Sequence, residues 1–330
     1  MGLFLPVMIR GTGSFVPSEV LTNEFFAGYL DTSDEWIVPR TGIRERRRVA
    51  PDESTLTLAK AAAERALADA GMTASDLDLI VVATVTPDTP LPATACWLQA
   101  ELGVTDVPAY DLAAACSGFV YGLVFSAAQI TAGLYKNVLL VAAETLTRIT
   151  DYEDRATAIL FGDAAGAAVV SRSDDPGRGI LYQSLGAKGQ DAKAVWIPAG
   201  GSREPASART VAERLHYMKM RGSDLFKFAV GKMEELVVAC LEETGTKVED
   251  LAMVIPHQSN LRIMEAARRR IQLPIEKLAV NIDRYGNTSA ASIPLALDEA
   301  RRKGRLRAGD LVMFLGFGGG LTWGVTLMRL

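Results

Sequence analysis

Two hydrophobic rhythms alternate along this chain. Short continuous apolar runs, among them LIVVAT (79–84), VLLVAA (138–143) and LVMFLG (311–316), have the length and content of strands buried on both faces. Between them lie stretches with apolar positions every three or four residues, such as TLTLAKAAAERALADAG (55–71), which predict helices with one buried face. The alternation predicts an α/β protein whose helices cover a mostly parallel or mixed sheet. The apolar opening MGLFLPVMI (1–9) reads as the first strand, since it has neither the basic start nor the small-residue cleavage site of a signal peptide. Segment 112–135 carries no charge and is long enough to span a bilayer. Its Ser117, Ser126, Gln129, Thr131 and three glycines, without basic-flanked aromatic belts, predict a buried helix and no membrane span.

The same pattern recurs. ALADAGMTASDLDLIVVA (66–83) matches CLEETGTKVEDLAMVIPH (240–257) at a constant offset of 174 positions, which sets Gly71 on Gly245 and Asp76 on Asp250. That offset also lays VLLVA (138–142) on VMFLG (312–316), and ACSGFVYGLVFSAA (115–128) on SAASIPLALDEARR (289–302). Four elements on one offset imply an internal duplication, with halves at 1–178 and 179–330 that share a helical layer. The stretch between them, through KGQDAKAVWIPAGGSREPASART (188–210), reads as a connection of long loops.

Composition narrows the chemistry. The chain has 330 residues and a net charge of -4, which argues against a nucleic-acid binder. Two histidines cannot build a His-rich metal site, so no metal is expected. The three cysteines, Cys96, Cys116 and Cys240, form no disulfide framework and suit a reducing cytoplasm.

Reactive or polar residues follow strands at three places, where α/β proteins put their ligands. Cys116 falls at the start of the uncharged helix, where the helix dipole favours thiolate. Cys96 and Cys240 lie within helical patterns and read as inert core cysteines. His257 directly follows a strand in VIPHQSN, whereas His216 has no such setting and reads as structural. Asn287 lies in NIDRYGNTSAASIP, the loop that the offset places opposite that of Cys116, and Thr288 or Ser289 is expected to cap the next helix. The tract Gly11-Thr12-Gly13, read as following a strand, lacks the third glycine of a dinucleotide fingerprint, which disfavours an NAD-dependent oxidoreductase. The GFGGG tract (316–320) precedes a strand and suits a backbone N–H presented to an oxyanion.

At these residues the chain resembles the β-ketoacyl-acyl-carrier-protein synthase III family of the thiolase-like superfamily. The likeness lies in DTSDEWIVPRTGIRERR (31–47), DLAAACSGFVYGL (111–123), ILFGDAAGAAVV (159–170), IPHQSNLRI (255–263), DRYGNTSAASIPLALDEA (283–300) and FGGGLTWG (317–324). It implies a five-layered αβαβα fold of duplicated halves, and a homodimer. It also implies that an acyl-CoA primer, acetyl-CoA first, condenses with malonyl-acyl carrier protein to start type II fatty-acid synthesis, with no cofactor and with acyl-CoA as a substrate. By the resemblance, Cys116 takes the acyl group, His257 and Asn287 promote decarboxylation, and the N–H groups of Cys116 and Gly319 form the oxyanion hole. Trp36 and Arg155 match residues that sandwich the CoA adenine, with Thr32 and Arg40 nearby, and Asn260 matches a pantetheine-tunnel residue. Leu91 and Phe317 are expected at the acyl pocket. Arg262 matches a carrier-protein docking residue, and Lys227, Arg269 and Arg270 are candidates to extend that patch, against the plain reading of EAARRRI as a solvated helix face. Leu91 stands where the family often has Phe, and Ala156 where Gly often follows the CoA-binding Arg.

Three other readings compete. One is a specialised relative acting on another primer or acceptor in polyketide or other secondary metabolism. The second is a chalcone-synthase-like enzyme with the same three residue types. The third is a catalytically silent acyl-binding or scaffold protein.

Overall fold

A computed structural model describes residues 4–330. Its two main sheets are built to one plan. The first runs, in spatial order, Val7–Phe15, Asp163–Arg172, Asn137–Thr145, Leu79–Ala83, Ala109–Leu112, with two antiparallel and then two parallel pairings. The second runs Gly179–Ala187, Thr322–Arg329, Leu311–Gly318, Met253–Pro256, again antiparallel, antiparallel, parallel. A parallel bridge from Val254 to Leu278 stands where the fifth strand would be.

Strand alternation sorts the side chains into layers. Val138, Leu140 and Ala142 turn inward with Val312 and Phe314 onto two central helices, Gly118–Thr131 and Ser292–Arg302. Leu139 and Val141 turn outward onto the helix Thr55–Ala70, through Leu58, Ala59, Ala62, Ala63 and Ala66. Met313, Leu315 and Val325 turn outward onto the helices Gly222–Thr244 and Leu261–Arg270. The result is helix, sheet, helix, sheet, helix: the five-layered thiolase-like fold. Among the described residues, no helix is long and apolar enough to cross a membrane. The uncharged segment 112–135 is instead built around a central helix.

Several elements differ from their sequence reading. The first strand is Val7–Phe15 rather than 1–9, and Met1 to Leu3 lie outside the described residues. The Gly11-Thr12-Gly13 tract therefore lies inside the strand, not after it. Its glycines are there for close approach: a Cβ on Gly11 would stand 2.4 Å from the Ala66 carbonyl oxygen, and one on Gly13 would stand 2.3 Å from that of Ala62. The connection after the second half's first strand is not all loop. Its Val195–Trp196 pairs with Lys219–Met220. Cys96 is exposed on the helix Thr94–Glu101 and is not a core cysteine. Cys240 is fully buried, and burial pushes its thiol up to about 12.

Candidate active site

The strands of both sheets end toward two loops that mirror each other. Each loop is a single 3-10 turn, Ala115–Ser117 in one half and Ser289–Ala291 in the other, which runs straight into a central helix. Ala115 and Ser289, one offset apart, both have φ of 47°. A non-glycine residue held there is strained by a few kcal/mol at most, and packing must hold it in place. Packing does so here. A Cβ on Gly318 would come within 2.7 Å of Cys116 N, and one on Gly316 within 2.7 Å of Ser117 Cα. Ser117 Oγ and Thr322 Oγ1 are 2.7 Å apart, and Thr322 donates to the Ala114 carbonyl at 3.0 Å. The end of the strand Leu311–Gly318 thus lies against the cysteine loop, while the next residue, Gly319, faces Val195.

Cys116 lies in the 3-10 turn just before the helix rather than within its first turn. Burial pushes its thiol up to about 12, with the Glu144 charge adding to the rise and Ser289 opposing it. Desolvation thus opposes the thiolate that a helix start favours.

His257 follows the strand Met253–Pro256 and is 3% exposed. Its N–H donates to the Leu315 carbonyl at 2.7 Å, and its Nδ1 lies 3.2 Å from Ser292 Oγ. The buried Gln258 braces the strand exit, donating to the Pro256 and Ala279 carbonyls at 2.9 and 3.1 Å. Burial lowers the His257 imidazole to about 3, against a smaller raising contact with the Ser289 backbone, so the ring is neutral at working pH.

Asn287 is placed by its backbone. Its N–H donates to the Leu160 carbonyl at 2.8 Å, and its carbonyl accepts from Gly162 N at 3.0 Å. Gly286 precedes it with φ of 65°, where a Cβ would also strike the Leu160 carbonyl at 2.7 Å. Asn287 Oδ1 accepts from Ser289 N at 2.9 Å, which leaves the amide NH2 as the free donor.

Ser289 thus touches all three candidates: the Cys116 thiol through its side chain, and His257 and Asn287 through its backbone. Sequence reasoning gave it only a capping role, and the structure corrects that. Neither Thr288 nor Ser289 caps the helix, whose N-cap is Ala291 without a side-chain bond. Glu144 was missed as well. It is the last residue but one of the strand Asn137–Thr145, on the inward face, and is completely buried. Its Oε2 accepts from the Thr86 hydroxyl at 2.8 Å and from Val85 N at 3.1 Å. Burial pushes its carboxyl up to about 7 against those bonds. The available signal was a single acid directly after the apolar run VLLVAA (138–143).

A second cluster forms at the surface. Arg40 and Arg155 both lie over the Trp36 indole, at 4.5 and 4.8 Å from its centroid. Arg155 donates to the Asp31 carbonyl at 2.6 Å, and Asn260 Nδ2 donates to the Arg40 carbonyl at 2.9 Å. The adjacent Thr32 Oγ1 is buried without a partner. Ala156 is exposed in the short helix Arg155–Ala158. Beside this cluster, Arg262 lies 5.7 Å over the Phe226 ring, and Lys227 is exposed one residue further along. Arg269 and Arg270 are engaged by Glu265 and Glu234. His216 lies apart, with Nε2 2.9 Å from Thr210 Oγ1. Leu91 is 86% exposed, so it lines no enclosed pocket within one chain. Phe317 packs against the outer helical core with Trp323, on the face opposite Phe314.

Comparison with known proteins agrees along the whole chain. The family model described as 3-oxoacyl-[acyl-carrier-protein] synthase III matches residues 110–189, and the model for its C-terminal part matches 241–330. A beta-ketoacyl-[acyl-carrier-protein] synthase III of Caldanaerobacter subterraneus is 50% identical over 97% of both chains. One from Symbiobacterium thermophilum is 51% identical over 98% of both. The crystal structure of 3-oxoacyl-[acyl-carrier-protein] synthase III from Aquifex aeolicus superposes with a TM-score of 0.90 at 45% identity, covering 98% of this chain and 100% of that one. The priming β-ketosynthase of the R1128 polyketide pathway superposes with a TM-score of 0.89 at 34% identity, covering 98% and 96%.

Proposed function

The chain belongs to the 3-oxoacyl-[acyl-carrier-protein] synthase III family, and from that membership we propose how its residues divide the work. It is a condensing acyltransferase that initiates fatty-acid synthesis. In our reading the two halves, 1–178 and 179–330, bring nucleophile and donors to one site. Cys116 attacks the thioester of an acyl-CoA, with acetyl-CoA as the first primer to test. The oxyanion of that step is held by the N–H groups of Cys116 and Gly319, an assignment supported by the packing of the neighbouring Gly318 on Cys116 N.

The difficult step is formation of a carbanion from malonyl-acyl carrier protein. Loss of CO2 leaves an enolate whose oxygen needs donors, each worth about 10²- to 10³-fold. A neutral His257 N–H and the free Asn287 NH2 are suited to that role, because both remain donors without a proton being added. The enolate carbon then attacks the Cys116 thioester, giving the 3-oxoacyl-acyl carrier protein and expelling the Cys116 thiolate, which takes up a proton from solvent.

For the primer's carrier, Trp36 and Arg155 are proposed to sandwich the adenine, with Thr32 and Arg40 beside them and Asn260 lining the pantetheine path. An exposed guanidinium–indole contact is worth only about 0.5–1 kcal/mol, so an incoming base displaces Arg155 readily. Arg262 and Lys227 are proposed to meet the acidic carrier protein. Arg269 and Arg270 are weaker candidates because carboxylates already hold them. The proposed assembly is a cytoplasmic homodimer in which the exposed Leu91 reaches the partner's acyl pocket. Phe317 gains no support as a pocket wall from its outward packing.

The observation that carries the reading is the convergence of Cys116, His257 and Asn287 on Ser289. The test is condensation itself. Acetyl-CoA and malonyl-acyl carrier protein should yield a carrier bearing the 3-oxobutanoyl group by intact mass, and no such product would refute the reading. The likeness to the polyketide priming enzyme supports the second reading. Preference for malonyl-CoA or aromatic thioesters in the same assay would favour that alternative.

A further inference from the structure

Asn287 takes its position from segment 160–162. The Leu160 carbonyl accepts its N–H, Gly162 N donates to its carbonyl, and Phe161 bridges to it in parallel register. That segment is braced by a side chain outside the site described so far, Arg46 of the strand Glu45–Arg48. One guanidinium amino group donates to the Ile159 carbonyl at 2.5 Å, just before the segment begins. The other donates to the Leu21 carbonyl at 3.2 Å and to Asn23 Oδ1 at 2.8 Å. Asn23 is itself tied down, its amide donating to the Asp34 carboxylate at 2.8 Å and to the Ile43 carbonyl at 2.9 Å. The stem of the arginine packs as well as reaches. A Cβ on Gly162 would stand 3.0 Å from Arg46 Cβ, and one on Gly286 would stand 3.1 Å from it. Gly162, which donates to Asn287, and Gly286, which precedes it, thus both close onto the same side chain.

Stability alone does not account for this residue. Arg46 is completely buried, and burial lowers its guanidinium to about 10, so it stays charged at neutral pH. Its neighbours Arg47 and Arg48 pair with Glu45 and Glu19, whereas Arg46 has no ion pair among the described residues. Its Nε has no hydrogen-bond partner, and its guanidinium lies 4.6 Å over the Phe26 ring. A buried cation without a counter-ion is costlier than a well-packed apolar side chain of the same volume. What the apolar side chain could not do is hold three acceptors from two stretches of chain at once.

We propose that Arg46 is a positioning residue for Asn287, tying segment 160–162 to the 21–23 frame so that the Asn287 amide is aimed at the enolate oxygen. This rests on the reading of Asn287 as an enolate donor. Arg46 touches no substrate and moves no proton.

The test reads the two half-reactions separately. Arg46→Lys keeps the charge and most of the stem but loses the fork that serves three acceptors. It should lower CO2 release from malonyl-acyl carrier protein by roughly 10-fold, part of the about 10²- to 10³-fold that a removed donor costs. Acylation of Cys116 at saturating acetyl-CoA, followed by intact mass, should stay within about twofold of wild type. In an Asn287→Ala background Arg46→Lys should cost nothing further in CO2 release, because the donor it positions is gone. Asn23→Ala removes one acceptor without touching Arg46, and it carries the same test if Arg46→Lys does not fold. It should show the same split, smaller in size, and again lose it in the Asn287→Ala background. Equal loss of both steps, unchanged CO2 release in both variants, or an undiminished loss in the Asn287→Ala background would each overturn the positioning role. Those results leave the donor reading standing. Asn287→Ala that released CO2 at the wild-type rate would overturn both.

Discussion

The cysteine loop and the asparagine loop share a backbone and differ in cargo. Both leave a strand's side of the sheet, make one 3-10 turn with a residue at φ of 47°, and start a central helix. The first places a thiol in the turn. The second leads in with an amide at Asn287 and puts the Ser289 hydroxyl where the first has the Ala115 methyl. Duplication thus supplies two equivalent positions at the junction of the halves, and in the proposed reading divergence makes one the nucleophile and the other its donor set. The strain common to both loops belongs to the architecture, whereas the chemistry belongs to the few residues that differ.

The sharpest way to break that division is on the donor side. His257→Ala and Asn287→Ala should each lower malonyl decarboxylation by about 10²- to 10³-fold while leaving Cys116 acylation far less affected. Radiolabelled CO2 release and acyl-enzyme mass measure the two steps separately, and equal loss of both would erase the distinction between the loops. The pH dependence follows from the same residue. With His257 lowered from 6.5 to about 3, decarboxylation by the neutral ring should show no acid limb near pH 6.5. The corresponding stability effect has a definite sign. Above pH 6.5 the ring is neutral folded or unfolded, and as pH falls below that value the unfolded chain gains a proton that the folded one refuses, so His257 destabilises the fold progressively down to about pH 3.

A smaller effect sharpens the comparison away from the site. Gly71 and Gly245 end the corresponding outer helices at φ of 64° and 66°, and a Cβ at either would meet nothing within 4 Å. Each Gly→Ala change should therefore cost only the left-handed strain, about 1 kcal/mol, and the two costs should match. Urea titrations that gave clearly unequal losses would show that the halves have diverged even where their backbones coincide.

The fold was legible because duplication is visible in sequence: Gly71 with Gly245 and the apolar strands keep register over 174 positions. The placing of Cys116, His257 and Asn287 on loops beside strand ends was legible because strand ends concentrate chemistry in α/β folds. Ser289 and Glu144 were not, because spacing does not tell which side chains a strained loop and a strand terminus turn toward a buried thiol. The Gly11–Gly13 tract misled for a related reason. Glycine signals a turn or a close approach alike, and only packing against Ala62 and Ala66 tells them apart. In Cys96 a short helical pattern could not reveal which face the sulfur takes.

The central claim is that the thiol in the first loop, and no other, accepts the primer. Its most direct test is peptide mapping by mass spectrometry after incubation with acetyl-CoA and longer acyl-CoAs. The account predicts a single acyl adduct on Cys116, absent from Cys116→Ala, with the exposed Cys96 unmodified. No adduct on Cys116 with any acyl-CoA, or an equal adduct on Cys96, would contradict it.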